Sequence, residues 1–393
     1  MPKSIFCINC GSSSIKFALY KSGSYEELVA QGAAERIGLP DGELWLNDGA
    51  GHRLSDSNVQ LPDNHRAIEL IFKQVIEKHN FPIPDAVGHR LAHGGPGHLA
   101  PEIMTPALMK ELHALISLAP IHLPGELACI EAVSEHYPQL PQVVCFDTTF
   151  HCQMPDMGKL LPLDYHLRKE GIHRYGFHGL SYEYITGVLD ASVHGKVIIA
   201  HLGSGSSMTA LKDGAPQDTT MGFSPLGGLM MGTRAGELDP GVILYLMNEK
   251  GYDLGRLQDL LYHHSGLMGV SGISSDMKTL LDQRNNSPQA SQAITFYCYT
   301  VRKYIGALSA VLGGLDTLVF TGGIGERSAP IRWLICRGLE YLGLILDPVS
   351  NDTHADVISA KHSPCGVRVI PTNEDIMIAR HAGEVLFKSD KGK

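Results

Sequence analysis

The chain has 393 residues, 44% of them hydrophobic and 19% charged, which suits a soluble globular protein of about two or three domains. Its net charge of −9 argues against nucleic acid or an anionic membrane as partner, since both favour a basic surface. An anionic substrate must therefore be met by a few placed cations. The start lacks a basic segment followed by a long apolar one, and no run of about 18 apolar residues occurs, so neither a signal peptide nor a transmembrane helix is expected. The eight cysteines are scattered, as in reduced, cytoplasmic proteins. Cys7 and Cys10 form a C-x-x-C that straddles a strand end, which reads as buried structural thiols rather than a redox pair or zinc site.

In chain order, the apolar runs 5–8 and 15–20 flank Gly11 and three serines, which predicts a strand, a tight turn and an antiparallel return strand. Successive N–H groups in such a turn can cradle an anion, although the P-loop pattern is absent. A further strand is expected over 26–37, then an irregular stretch over 38–63. Asp63 or Asn64 can cap a helix whose apolar residues Ala67, Ile68, Ile71, Phe72, Val75 and Ile76 share one face. Residues 86–91 read as a buried strand, followed by helices over 105–118 and 125–137 and a short strand over 143–146. Alternating strands and helices imply an α/β architecture, in which ligands gather at the carboxyl ends of strands. Arg90, His93 and Asp147 fall there.

The second half repeats the opening. Residues 197–214 again read as strand, Gly/Ser turn and return strand, with Gly11-Ser-Ser-Ser14 answered by 203–207 with one residue inserted. Two lobes on one plan, each offering a Gly/Ser turn, suit phosphate binding. Helices are expected over 239–249, 254–263 and within 287–312, the last long, largely apolar and either internal or at an interface. A strand over 316–321 runs into a third glycine turn, Gly322-Gly-Ile-Gly-Glu326, then a helix over 329–342. A strand over 367–370 leads to Pro371-Thr-Asn-Glu-Asp375 and a terminal helix.

Six motifs, spread in order over nearly the whole chain, resemble those of the acetate and propionate kinases. They are Asn9-Cys-Gly-Ser-Ser-Ser-Ile-Lys16, Gly88-His-Arg-Leu-Ala-His-Gly-Gly95, Phe146-Asp-Thr-Thr-Phe-His151, Arg174-Tyr-Gly-Phe-His-Gly179, Met231-Gly-Thr-Arg234 and Pro371-Thr-Asn-Glu374. The resemblance implies an α/β fold of two ribonuclease-H-like, actin-like ATPase lobes from an internal duplication, with the active site in the interlobe cleft. The lobes would be 1–148 plus 373–393, closed by the terminal helix, and 149–372, which binds nucleotide. The implied reaction is ATP + acetate ⇌ ADP + acetyl phosphate, by direct in-line transfer. A carboxylate nucleophile is ionised at neutral pH, its reference pKa being roughly 4, so no general base is required. The task is to bring one anion to another, which calls for positioning and positive charge.

By the same resemblance Arg90 and Arg234 meet carboxylate and phosphoryl oxygens, His178 hydrogen-bonds the transferring phosphoryl, Asp147 orients the arginines or takes part at the site, and His122 is a further active-site histidine. Ala92, Ile121, Phe177 and Pro225 would join Arg90 around the acid. Asn9, Ser12, Ser14, Lys16, His201, Gly203, Ser204 and Gly205 would line the phosphates, and Asp276, Met277, Lys278, Gly322, Gly323, Ile324 and Gly325 the nucleoside. Glu374, with Asn9, would help hold Mg²⁺, or Mn²⁺ in its place, partly through water. The expected partners are acetate or propionate and ATP/ADP, in a homodimer to which the helix around 293–312 could contribute.

Four positions depart from the family pattern: Ser204, Leu123, Gly227 and Lys278, where Asn, Asn, Glu and Arg are common. Ser204 and Lys278 raise the alternative of pyrophosphate or another nucleotide as donor. Ala92 stands where acetate-preferring members carry valine. The room gained suits one more CH₂, worth about 0.8 kcal/mol when buried, so substantial propionate activity is expected and a propionate preference is the alternative.

Overall fold

The structure is a computed structural model and describes residues 2–11, 13–22, 26–189 and 195–387. The chain divides into two compact units, Met1–Thr149 with Asn373–Lys393, and Phe150–Thr372.

The first unit is built on an eight-stranded sheet in the order β5-β4-β3-β2-β1-β6-β8-β7. Its strands are β1 Lys3–Cys10, β2 Ser14–Ser22, β3 Glu27–Glu35, β4 Glu43–Asp48, β5 Arg53–Asn58, β6 Ala86–Leu91, β7 Glu102–Ile103 and β8 Gln142–Phe146. β1 to β5 form an antiparallel meander, while β1, β6 and β8 run parallel. Ile5, Phe6, Cys7 and Ile8 are all buried because β1 is covered on both faces, which is why it reads as a continuous apolar run. One face, carrying Phe6, Ile8, Ile15 and Phe17, packs against the helices Asn64–Phe72 and Leu123–His136. On the other lies the terminal helix Glu374–Phe387. A Cβ on Gly88 would come within 2.5 Å of Ile378 Cγ2, so only glycine lets this helix seat.

The second unit carries a five-stranded sheet in the order β11-β10-β9-β12-β13. These strands are β9 Lys196–Leu202, β10 Ser206–Lys212, β11 Ala215–Thr219, β12 Thr317–Thr321 and β13 Gly366–Val369. β9 to β11 are antiparallel, and β9, β12 and β13 parallel. The order and directions of β11-β10-β9-β12-β13 repeat those of β3-β2-β1-β6-β8, as an internal duplication requires. The helix Gly179–Val188 covers one face, with Tyr182 and Ile185 against Val197, Ile199 and Val319. The helix Pro288–Leu312 lies in the core on the other.

Several expectations change. The stretch expected to be irregular over 38–63 contains the hairpin β4–β5, whose Leu44 and Leu46 are buried on alternate positions of Glu43-Leu-Trp-Leu46. The helix Asn64–Phe72 is prolonged by a π-helical segment, Lys73–Lys78. The third glycine stretch is itself helical, Gly322–Arg327, and a separate helix, Ala329–Cys336, follows. The repeated hairpins also differ at their tips. Gly11 N donates to Ser14 O, but Gly203 N donates to Gly205 O, so the second turn is one residue tighter rather than longer.

Candidate active site

In the first unit, period-two alternation aims Asn9 of β1, Arg90 of β6 and Asp147, just past β8, to the sheet face that carries the terminal helix. There Arg90 is gripped by carboxylates. Its Nε donates to Asp147 Oδ2 at 3.0 Å and its Nη2 donates to the same oxygen. Glu126 Oε1 lies 3.8 Å from Arg90 Nη1 and Glu374 Oε2 3.9 Å from Nε. Asn9 joins the network, accepting from Arg90 Nη1 at 3.4 Å and donating through Nδ2 to Glu374 Oε2 at 2.9 Å. The Arg90 side chain is 13% exposed and that of Asp147 0%. Burial alone would lower the Arg90 pKa, but Asp147, Glu374 and Glu126 outweigh it and hold the guanidinium firmly charged. The network leaves one partly accessible cation above the buried anions Asp147 and Glu126, the arrangement that offers an arginine edge to a small carboxylate.

Ala92, two residues past Arg90, is buried, and its N–H donates to Glu126 Oε2 at 2.9 Å. Burial pushes the Glu126 carboxyl up to about 7, with Arg90 and the Ala92 amide opposing that rise. Burial and neighbouring Glu374 likewise push Asp375 up to about 6. His122 is the N-cap residue of the helix Leu123–His136, and Ile121 beside it is half-buried. His93, a strand-end candidate, is buried, and its Nδ1 accepts from Gly95 N at 2.8 Å. Lys16 pairs with Asn9 in the β1–β2 register and is exposed between buried Ile15 and Phe17. Ser14 is half-buried at the same turn, while Ser12 lies outside the described residues. Cys7 and Cys10 are buried thiols.

In the second unit, His178 occupies the left-handed region, φ 60°, as N-cap of the helix Gly179–Val188. Its Nδ1 is 2.7 Å from Ser207 Oγ, which in turn meets the Tyr182 hydroxyl at 2.5 Å. This fixes the ring and leaves Nε2 turned towards the Gly203–Gly205 turn. A Cβ on Gly205 would lie 3.3 Å from His178 Nε2 and 2.9 Å from Arg234 Nη2, so the imidazole and guanidinium converge on that glycine. Arg234 is held by Nη1 donating to Pro225 O at 2.8 Å. His201 stacks on His178 at 4.3 Å between ring centroids, and its Nδ1 meets Ser181 Oγ at 2.8 Å. Phe177 is buried with Met221 and Met231.

Ser204 is exposed at the turn, and its carbonyl accepts from Gly232 N. A Cβ on Gly203 would stand 3.9 Å from Gly323 N, so the two glycine segments adjoin. Gly322 has φ 76° and its N–H donates to Glu326 Oε1 at 2.8 Å, which also accepts from Thr372 N at 3.1 Å. Gly323 faces open space, Ile324 is half-buried and Gly325 buried. Buried Arg332 donates to the carbonyls of Gly325 and Glu326 and pins the end of this segment. Asp276 caps the helix Met277–Gln283, accepting from Thr279 N at 2.7 Å and Oγ1 at 2.8 Å. The Thr279 amide is the main cause of its lowered pKa. Met277 is buried in the core, and Lys278 is exposed beside Asp282.

Sequence reasoning missed Glu126, Glu326, Ser207 and Arg332. Glu126 had a signal, since it shares the buried i, i+3, i+4 face of Leu123, Leu127 and Ile130. Glu326 closes the glycine motif itself. Ser207 and Arg332 act only through tertiary contacts.

No group of three or more His, Cys, Asp or Glu among the described residues forms a metal cage, and no described helix is long and apolar enough to cross a membrane. Glu374 offers a partly exposed carboxylate beside the Asn9 amide, hard oxygen donors that fit a Mg²⁺ retaining waters and phosphate ligands.

The family model of the acetokinase family matches residues 4–380. The chain is 43% identical to an acetate kinase of Methylocella silvestris over 97% of both chains. It is 44% identical to one of Rhodopseudomonas palustris, over 96% of this chain and 97% of that one. Among solved structures it is similar to Porphyromonas gingivalis acetate kinase, with TM-score 0.85 and 36% identity, covering 98% of this chain and 100% of the other. It is also similar to a propionate kinase from Francisella tularensis, with TM-score 0.89 and 33% identity over 96% and 98%.

Proposed function

The chain belongs to the acetokinase family and is a phosphotransferase acting on a carboxyl group, and from this we propose how its residues divide the work. ATP phosphorylates acetate reversibly to acetyl phosphate, with propionate as a second substrate and direct in-line transfer to the acceptor. Arg90 binds the acid, oriented by Asp147, with His122, Ile121 and Ala92 beside it. Arg234 and His178 stabilise the transferring phosphoryl, near Phe177 and Pro225. Asn9, Ser14, Lys16, His201 and the glycines 203 and 205 hold phosphates, while 276–278 and 322–325 flank the nucleoside. Glu374, with Asn9, holds Mg²⁺, which would neutralise phosphate charge when bound.

The observation that carries this reading is Arg90, a partly exposed guanidinium whose Nε and Nη2 are fixed on buried Asp147. Such a clamp prepays the cost of orienting the acceptor, and fixed positive charge is what a reaction between two anions requires. The test is trapping of acyl phosphate with hydroxylamine, using MgATP and acids of two to four carbons, with pyrophosphate and other nucleotides in a donor panel. Absence of acyl phosphate with every acid would refute it. A propionate preference is the second reading, favoured by the small buried Ala92.

We also infer a cytoplasmic homodimer. The helix Pro288–Leu312, expected to be internal or at an interface, is largely internal, with Ala293, Ile294, Tyr297 and Val301 buried and Phe296 and Tyr299 exposed. The apolar helix Pro240–Lys250 has no buried residue and exposes Val242, Leu244, Tyr245 and Met247, a better candidate for a second copy. Sedimentation of the wild type and Leu244→Lys as equal monomers would refute this.

A further inference from the structure

Glu126 is the carboxylate of the Arg90 cluster that the reaction does not use. Its side chain is 1% exposed. Asp147 receives two hydrogen bonds from Arg90, and Glu374 receives the Asn9 amide at 15% exposure. Among the described residues Glu126 receives only the Ala92 N–H, on Oε2, and its Oε1, 3.8 Å from Arg90 Nη1, has no hydrogen-bond partner. It is thus the least compensated charge of the three, and it faces Nη1, which Asp147 does not engage and which donates only a long bond to Asn9 Oδ1.

The groups around it set the sign of what a bound acid would do. Arg90 from β6 favours the anion, while Asp147, past β8, disfavours it. Cys129 lies one turn along the same helix and contacts Cys10 of β1, both as buried thiols, and Asn64 from the neighbouring helix binds Gly125 O as a neutral amide. Glu374 reaches only the far side of Arg90. A carboxylate placed on Arg90 adds a negative charge within a few ångströms of Glu126, in a site with little water to screen it, and also draws on the one cation that stabilises Glu126 as an anion.

Building on the kinase reading above, we propose that Glu126 is a positioning residue that binds a proton as the carboxylate substrate binds, so acceptor and proton enter together. The proton comes from solvent and rests on a Glu126 oxygen. No bond of the substrate changes, and the proton returns to solvent when the site empties. The Ala92 amide contact lets the same residue hold the backbone of the acid pocket in either protonation state. With Glu126 near 7 before the acid arrives, the linkage falls in a measurable range. Below that pH the residue already carries its proton and acid affinity is flat. Above it, affinity falls by up to about tenfold per pH unit until the pKa of the bound form is reached.

The test is the pH profile of the KM for acetate from pH 6 to 9, read by ADP release at saturating MgATP, where acetate itself stays ionised. Wild type is expected to show an acetate KM that rises severalfold above pH 7 while the KM for ATP moves less than twofold. Glu126→Gln, which keeps an oxygen for the Ala92 amide, should flatten the acetate profile, and Glu126→Asp should retain a slope. An active wild type with a flat acetate profile overturns the proposal, as does an unchanged slope in Glu126→Gln. An enzyme that releases no ADP with any short acid fails the kinase reading itself, which is a different result from a flat profile in an active enzyme.

Discussion

Gly205→Ala puts a single methyl group where Arg234 and His178 converge. The new Cβ would lie 2.9 Å from Arg234 Nη2, 3.3 Å from His178 Nε2 and 3.6 Å from its Cε1. Ordinary contact needs roughly 3.4 Å or more, so the guanidinium must move by about 0.5–1 Å. It is the far end of a flexible side chain, but Nη1 is tied to Pro225 O, so the displacement falls on Nη2. Gly205 does not have the positive φ that penalises a side chain, and the fold should stay within about 1 kcal/mol of wild type. Catalysis is less forgiving: a 1 Å misplacement of a positioning group costs about 100-fold, or about 2.7 kcal/mol in the barrier. We expect kcat for acyl phosphate formation, read by hydroxylamine trapping, to fall about 30–100-fold with a nearly unchanged melting temperature. Gly203→Ala, on the same turn, meets only Gly205 O at 3.3 Å and more distant atoms and should lose far less. A Gly205→Ala enzyme that folds normally and keeps kcat within twofold would refute the assignment of Arg234 and His178 to the phosphoryl group.

Arg90→Ala should abolish measurable turnover yet leave the Kd for ATP within about threefold in a nucleotide titration. Thermal unfolding should show a loss of about 3–5 kcal/mol, because Asp147 and Glu126 are left buried without their cation. Ala92→Val should shift the ratio of kcat/KM for acetate over propionate towards acetate by about fourfold or more, the worth of one buried methylene; an unchanged ratio would separate Ala92 from the acid pocket. Burial holds His89 near 4, well below the ordinary 6.5, despite its Gln142 contact. The unfolded chain therefore binds more protons between those values, and this group's stability is present above pH 6.5 and lost as pH falls towards 4. Urea unfolding at pH 6.5 and 4.5 should show His89→Gln losing roughly 2 kcal/mol less than wild type over that interval.

The central strands were legible because burial on both faces leaves apolar runs, as in residues 5–8 of β1 and 143–146 of β8. The N-cap at Asp63 and the Thr105–Pro106 start were legible because capping is local chemistry. The hairpin over 43–58 was not, since β5 is nearly all polar and is specified by its partner rather than by its own sequence. The exposed apolar helix Pro240–Lys250 and the internal Pro288–Leu312 have similarly apolar sequences, and only packing distinguishes them.

By itself the sequence determined the chemistry available: two arginines in glycine-flanked motifs, histidines at strand and helix ends, and Gly/Ser turns repeated in both halves. It placed Arg90 and Asp147 at strand ends, but only the parallel register of β1, β6 and β8 brought them with Asn9 to one face. Tertiary structure decided what surrounds them. It set Glu126, a residue 36 positions from Arg90 in the chain, against that guanidinium, and Glu326 beneath the Gly322 amide. Burial, and with it the charge a carboxylate can carry, depends on every element packed around the group, and that is a property no local stretch of sequence contains.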